Sequence, residues 1–420
     1  MKRRAILLLL LGNCAAVAVA QASPWALRVE RLLERDALGV DTAQPTLSWS
    51  WRTANPGVER AVNPPARVLV SFAASPDLLD SQPLWAWHGE VGPLPSLRYD
   101  GPPLHSHTRV HWRVCSDVCT SASFVTGILT PIDWSAKWIR GRQLRSPEAP
   151  TGDRGAVSSA IVSFSGLGFA ELMLNGLKVG DAVLDPGFST NFTERILYST
   201  WDVTHMLNKG EKSVVLGARI GAGKYSYSVN PFAVAGQDVF ALLCQLTIRF
   251  ADGSKPLILA TTGPQQSGGW ESSQSPIVWE HLYHGEVYDA RLARPNWASP
   301  RGNGSSSGGS KVAPAITLPV GANATLSARL FAPIRIVETV VAQNVTRLGS
   351  RSFFYDYGNN YAGVARVALP PGMAAGATMT VVCTEYPNIA QTPYGPADLY
   401  NQQDLYIFSG QEKQGDSWAP

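Results

Sequence analysis

The stretch that most constrains this chain is Gly166–Tyr198, GLGFAELMLNGLKVGDAVLDPGFSTNFTERILY. Ala170, Leu172 and Leu174 alternate with Glu171 and Met173. A period of two puts one set on a buried face and the other toward solvent, so the segment is predicted to be a half-buried strand. Asn175-Gly176 follows, and both residue types tolerate the positive φ of a type I′ hairpin turn. Leu177–Gly180 then reads as the return strand. Asp185-Pro186-Gly187 is a second turn, with Pro presetting φ and Gly taking the strained position. A hairpin cannot bury its apolar face alone, so the rest of the chain must supply further strands.

The remaining sequence supplies them. Arg67–Ala73, Val110–Val114, Phe124–Leu129, Ser213–Ile220, Asp238–Phe250, Phe331–Glu338, Val381–Tyr386 and Asp404–Gly410 read as strands, and no stretch has the period of a long amphipathic helix. With 38 Gly and 30 Pro to punctuate short strands, the expected class is all-β, built as tandem sandwiches. A chain of 420 residues accommodates two to four such units.

Met1–Ala22 has the pattern of a secretory leader. Lys2, Arg3 and Arg4 precede the apolar run Ala5–Leu11, and Ala20-Gln21-Ala22 is an A-x-A cleavage site. The apolar run is too short to span a bilayer, and no other stretch suits a membrane helix. The expectation is a secreted, extracellular protein. Removing those three residues from 35 Lys+Arg leaves a balance with 32 Asp+Glu. No basic field for nucleic acid remains. In an oxidising compartment Cys115 and Cys119 are expected to close a small disulfide, with Cys244 and Cys383 as buried thiols. The sequons at Asn191, Asn303, Asn323 and Asn344 are candidate glycosylation sites. His105, His107 and His111 share parity but lack a further ligand, so a solvated strand edge is expected rather than zinc.

The opening stretch also carries a resemblance. Gly166, Gly168, Glu171, Leu172, Leu174, Asn175, Gly176, Val179, Gly180 and Asp181, leading to Asp185, Pro186, Gly187 and Phe188, resemble a signature of bacterial-type α-L-rhamnosidases. That signature is G-x-G-x-x-E-L-x-L-N-G-x-x-V-G-D followed by D-P-G-(W/F)-T. Leu38–Trp49, Trp112–Val114, Phe124–Gly127 and Asp133–Ile139 are similar to motifs of the family's leading domain, as Tyr283–Arg291 and Phe354–Val367 are to later ones. After the leader at 1–22, the resemblance implies a fibronectin type III-like sandwich at 23–135 and the rhamnosidase N-terminal sandwich at 136–298. A Gly/Ser-rich linker or loop at 299–330 and a concanavalin-like sandwich at 331–420 follow. The second and third sandwiches are expected to be of jelly-roll or concanavalin type.

In the family the catalytic carboxylates lie on an (α/α)₆ barrel that begins near where this sequence stops, so the chain is expected to be non-catalytic alone. Glycoside hydrolysis needs two carboxylates. Asp181, Asp185, Glu286, Asp289, Asp356 and Glu385 all sit at turns or strand ends, where carboxylates cap backbone N–H groups or pair with Arg. The resemblance also implies binding of rhamnose-containing glycosides or polysaccharides, with calcium as the one cofactor to test for. Candidate carbohydrate-binding residues are Asn175, Asp181, Asp185, Phe188, Tyr225 and Glu286; the same residues also suit a purely turn-holding role. Gly221–Tyr225 departs from the family's G-N-G-W-Y, which removes a polar ligand and a stacking ring. A stand-alone secreted lectin is the alternative.

Overall fold

The computed structural model describes residues 22–420 except 54–64, 73–74, 93, 152–153, 188–190, 208–211, 224, 226–239, 262–268, 283, 301–310, 313–323 and 385–402. The described part is built of sheets, and Thr204–Leu207 is the sole α-helix among the described residues.

The N-terminal unit is a sandwich of two sheets. One orders the strands Leu32–Leu33, Ala22–Val29, Thr46–Thr53 and Ser96–Arg98; the other orders Leu38–Val40, Cys119–Thr126, Arg109–Cys115, Ala66–Ser71 and Trp85–Gly89. Alternation sends Val68, Val70, Val110, Trp112 and Val114 inward against Leu47, Trp49, Tyr99 and Phe124. Cys115 and Cys119 are opposite each other across the hairpin and form the expected disulfide.

The second unit packs two six-stranded sheets. One contains Ile139–Arg140, Ala241–Phe250, Val157–Gly166, Arg195–Asp202 and Thr325–Ala328, with Leu257–Ala260 alongside Ala241–Phe250. The other runs Leu177–Lys178, Phe169–Leu174, Leu216–Gly221, Gln143–Arg145, Glu271–Ser273, Lys311–Val312. Leu172, Leu174, Val162, Phe164, Leu216, Leu246 and Trp270 fill the space between. The opening hairpin forms as its sequence dictates, with Asn175 and Gly176 at φ 50° and 84°.

Two expectations need correction. The segment at 299–330 is not simply a linker: Thr325–Ala328 adds a parallel strand beside Arg195–Asp202, and Lys311–Val312 pairs with Glu271–Ser273. Its strand residues were hidden by the Gly/Ser composition upstream. The second and third units also do not separate at residue 298. Ile277–His281 and Gly285–Asp289 share a sheet with Gln403–Ile407 and Thr378–Val382, over a small core of Ala290, Leu369, Tyr406, Phe408 and Trp418.

The first two units meet through a filled polar interface. The strand Ala241–Phe250 is buried on both faces, because its second face lies under the N-terminal sandwich. Gln245 accepts from the Ser135 N–H and donates to the Asp133 carbonyl. Arg109 pairs with Asp202 at 2.6 Å. Gly127 permits this approach, since a Cβ there would lie 2.5 Å from the Tyr198 hydroxyl.

Candidate functional site

The sequence-derived candidates do not converge on one place. Asn175 serves its own hairpin: its side-chain amide donates to the Ser213 carbonyl at 3.1 Å and accepts from the Val215 N–H at 2.8 Å. Both ends of the amide that was expected to read sugar hydroxyls are therefore engaged. Asp185 is buried and accepts from the Ser199 hydroxyl and, at 3.0 Å, from the Trp201 indole. Arg329 lies 3.5 Å from the same carboxylate. Asp181 pairs with Arg335 at 2.7 Å, and Arg335 also reaches Asp36 of the N-terminal sandwich at 2.7 Å. Tyr225 is 2% exposed, packed edge-on against Phe192 at 5.1 Å, so its ring is core rather than a stacking platform. Phe188 lies outside the described residues.

Together Asp181 and Asp185 anchor one strap. Residues 325–335 run along the second sandwich, where the Ala328 N–H meets Asp41 and the Val183 N–H meets the Ile334 carbonyl. Arg329 and Arg335 then fasten the strap to three acids. These residues do not fit a calcium ion, because each aspartate already faces a guanidinium. Among the described residues no three His, Cys, Asp or Glu side chains gather to hold a metal.

Glu286 stands apart. It sits on Gly285–Asp289 directly opposite Glu280. Burial, then the nearby Asp404 and Glu280, push its carboxyl up to about 7, against the opposing pull of the Trp418 indole at 3.2 Å and of Arg219. Two carboxylates on neighbouring strands, one of them titrating near neutral pH, have the outline of an acid–base pair. Their partners argue for structure instead. Glu280 accepts from the Ala222 N–H at 2.6 Å, tying down the backbone just after Leu216–Gly221. Among the described residues, neither carboxylate lines the groove of about 300 Å³ beside Arg142 or the one of about 410 Å³ beside Arg366. Asp289 and Asp356 act as turn caps, accepting from the N–H groups of Arg291 and Gly358. Glu385 lies outside the described residues.

Three further expectations are corrected by tertiary contacts. His107 is no solvated edge: it is buried at the first interface, with its ring nitrogens 3.0 Å from the Thr247 hydroxyl and 2.8 Å from that of Ser163. Burial and Arg249 pull its pKa down to about 3, so the ring is neutral. His111 is buried too. Cys244 is buried as expected, whereas Cys383 is exposed. Of the sequons, Asn344 lies on an exposed strand and Asn191 is half-buried with its amide oxygen accepting from Thr193. Asn303 and Asn323 fall outside the described residues.

The arrangement is that of a multi-sandwich β-scaffold, and comparison with known proteins gives it a family. Residues 155–338 match the family described as Alpha-L-rhamnosidase N-terminal domain, and residues 24–129 match the Rha78A-like, N-terminal immunoglobulin domain. This chain carries the N-terminal β-domains of the α-L-rhamnosidase family. It is 28% identical over 397 residues to an alpha-L-rhamnosidase of Formosa agariphila, covering 83% of this chain and 39% of that protein. It is 31% identical over 298 residues to one of Streptomyces avermitilis, covering 69% and 26%. The solved Streptomyces avermitilis alpha-L-rhamnosidase complexed with L-rhamnose superposes with a TM-score of 0.78 at 20% identity. The match covers 95% of this chain and 55% of that one. The chain thus spans well under half the length of these curated relatives.

Proposed function

We propose that this chain is the non-catalytic N-terminal part of a secreted α-L-rhamnosidase-type glycoside hydrolase. It releases no rhamnose alone and serves as the scaffold on which a catalytic portion is held. One observation carries the reading. The hairpin Asn344–Arg347/Phe353–Asp356 forms a two-stranded sheet paired with no other described strand. A lone hairpin is marginally stable in water, yet this one bears exposed Val345, Leu348, Phe353 and Tyr355. The segment leading to it adds Ile336, Val337 and Val341, with Val337 94% and Val341 80% exposed. An apolar surface of this extent marks an interaction site. The occupant best matched is the remainder of the enzyme, because the relatives are more than twice as long as the portion matched here. Secretion rests on the leader-like Met1–Ala22.

The test is hydrolysis of a nitrophenyl α-L-rhamnoside. The chain alone is expected to give no turnover above buffer. A separately prepared rhamnosidase catalytic portion should gain thermal stability when mixed with the chain, and should lose that gain when Val337 and Val341 are both changed to Asp. Turnover by the chain alone would overturn the reading. The lectin alternative predicts calorimetric heat with millimolar rhamnose that a chelator abolishes.

A further inference from the structure

A second surface feature is independent of that apolar face. Where Glu271–Ser273 passes into Ile277–His281 lies the groove of about 300 Å³, lined among the described residues by Arg142, Ser273, Gln274, Ser275, Ile277 and Val278. Its lining carries one cation and no carboxylate. The Arg142 guanidinium lies over the Phe240 ring, 3.8 Å from its centroid. That stacking orients the planar fork without using its N–H donors. No other described group accepts a hydrogen bond from this guanidinium.

The polar wall is braced from behind. Gln143 is buried and accepts from Arg219 at 3.3 Å, which fixes the direction of its amide. The amide then donates to the Ser273 hydroxyl oxygen at 3.0 Å and to the Gln274 carbonyl at 3.4 Å. The Ser275 hydroxyl oxygen accepts from the Ile277 N–H at 3.2 Å. Both serine oxygens have therefore spent a lone pair on a protein donor, and each keeps its own proton to give. Arg142, Ser273 and Ser275 form a wall that offers donors, with the Gln274 amide among them, beside apolar Ile277 and Val278. Such a wall suits an oxyanion attached to a body with an apolar face.

We infer that this groove binds an acidic saccharide, with Arg142 gripping the anionic group of the sugar, a uronate carboxylate or a sulfate ester. Only the choice of a saccharide rests on the reading of the chain as part of a glycoside-degrading enzyme. The anion site itself rests on the groove.

Calorimetry on the chain at low ionic strength tests the inference with four probes: an oligogalacturonate, a sulfated galactan oligosaccharide, a neutral galacto-oligosaccharide and inorganic sulfate. At least one acidic saccharide should bind at least tenfold more tightly than the neutral one and than inorganic sulfate. Whichever acidic probe binds more tightly identifies the group. Arg142→Gln should weaken that binding at least tenfold with an unchanged thermal midpoint, and Arg142→Lys should fall between, because a point charge cannot make the paired contact. Equal binding of acidic and neutral sugars, equal binding of inorganic sulfate, no binding of any probe, or an Arg142→Gln variant that binds as the parent does would each overturn it. If Arg142→Gln does not fold, the comparison among probes on the parent chain still decides. Rhamnoside turnover by the chain alone would remove the scaffold reading and leave these results standing.

Discussion

The chain presents two large contact surfaces of opposite character. Where the N-terminal sandwich meets Ala241–Phe250, the contacts are polar and closed: His107, Gln245, Arg109 and Tyr198 each find a partner across the boundary. Across Ile336–Tyr361 a set of apolar side chains, Ile336, Val337, Val341, Val345, Leu348 and Phe353 among them, is exposed. Buried polar groups cost free energy unless matched, so the first surface has meaning only as a completed interface. The second keeps apolar area in water that a partner would remove. A finished contact and an unfinished one can thus be told apart from satisfaction and exposure alone.

The comparison can be broken at its strongest point first. Asp185→Ala leaves Arg329 without its buried partner and strips the acceptor from Ser199 and Trp201. It should destabilise the fold by about 3–5 kcal/mol in urea unfolding, with Asp185→Asn losing less. A loss below about 1 kcal/mol would mean that the strap carries little of the stability. His107→Ala, on the closed interface, should cost about 2–4 kcal/mol through lost packing and an unpaired Thr247 hydroxyl, while Ser163 keeps the Thr200 hydroxyl at 2.7 Å. The histidine also sets a pH dependence. Its folded pKa, about 3, lies below the ordinary 6.5. The unfolded chain therefore takes up the proton first, and stability contributed by the neutral ring is present above about 6.5 and falls as pH drops toward 3. Thermal midpoints measured from pH 7 to 4 should show this decline in the parent and lack that component in the variant.

Glu286 works in the opposite sense. Its folded pKa, about 7, lies above the ordinary 4.5. Its contribution is complete below about 4.5 and is lost as pH rises to about 7, staying lost above. Glu286→Gln keeps an acceptor for Trp418 and should stabilise the chain by about 1–3 kcal/mol at pH 8 while changing little at pH 4. Identical differences at both values would refute the raised pKa. The smallest effect belongs to the open face. Val337→Ser and Val341→Ser should each shift stability by less than about 0.5 kcal/mol, yet lower the fluorescence of a hydrophobic dye. A large loss of stability would show that these side chains are packed, not waiting.

Much of the local structure was legible. The alternation Ala170, Leu172, Leu174 and the Asn175-Gly176 turn form as read, because strand period and positive-φ tolerance are properties of neighbouring residues. The Cys115–Cys119 bridge was legible for the same reason: a short turn holds both ends together. Asp289 and Asp356 cap turns as turn carboxylates do. His107 and His111 misled, unlike the exposed His105, because parity gives the face of a strand and not what covers that face. Cys383 misled likewise: its strand pattern is apolar, but the residue is exposed. The acidic candidates Asp181 and Asp185 could be located, but their arginines come from 154 and 144 residues further along the chain.

What the sequence determined by itself was the family, the all-β class and the hairpins, since each is written in short-range pattern. What only the tertiary structure decided was the use of each polar side chain. Asn175 and Asp185 proved to be engaged internally, His107 to be an interface core residue, and Arg142 to meet no hydrogen-bond acceptor among the described residues. That division has a physical cause. A side chain's chemistry is intrinsic, but whether it is free to meet a ligand depends on partners that only long-range packing brings within hydrogen-bonding distance.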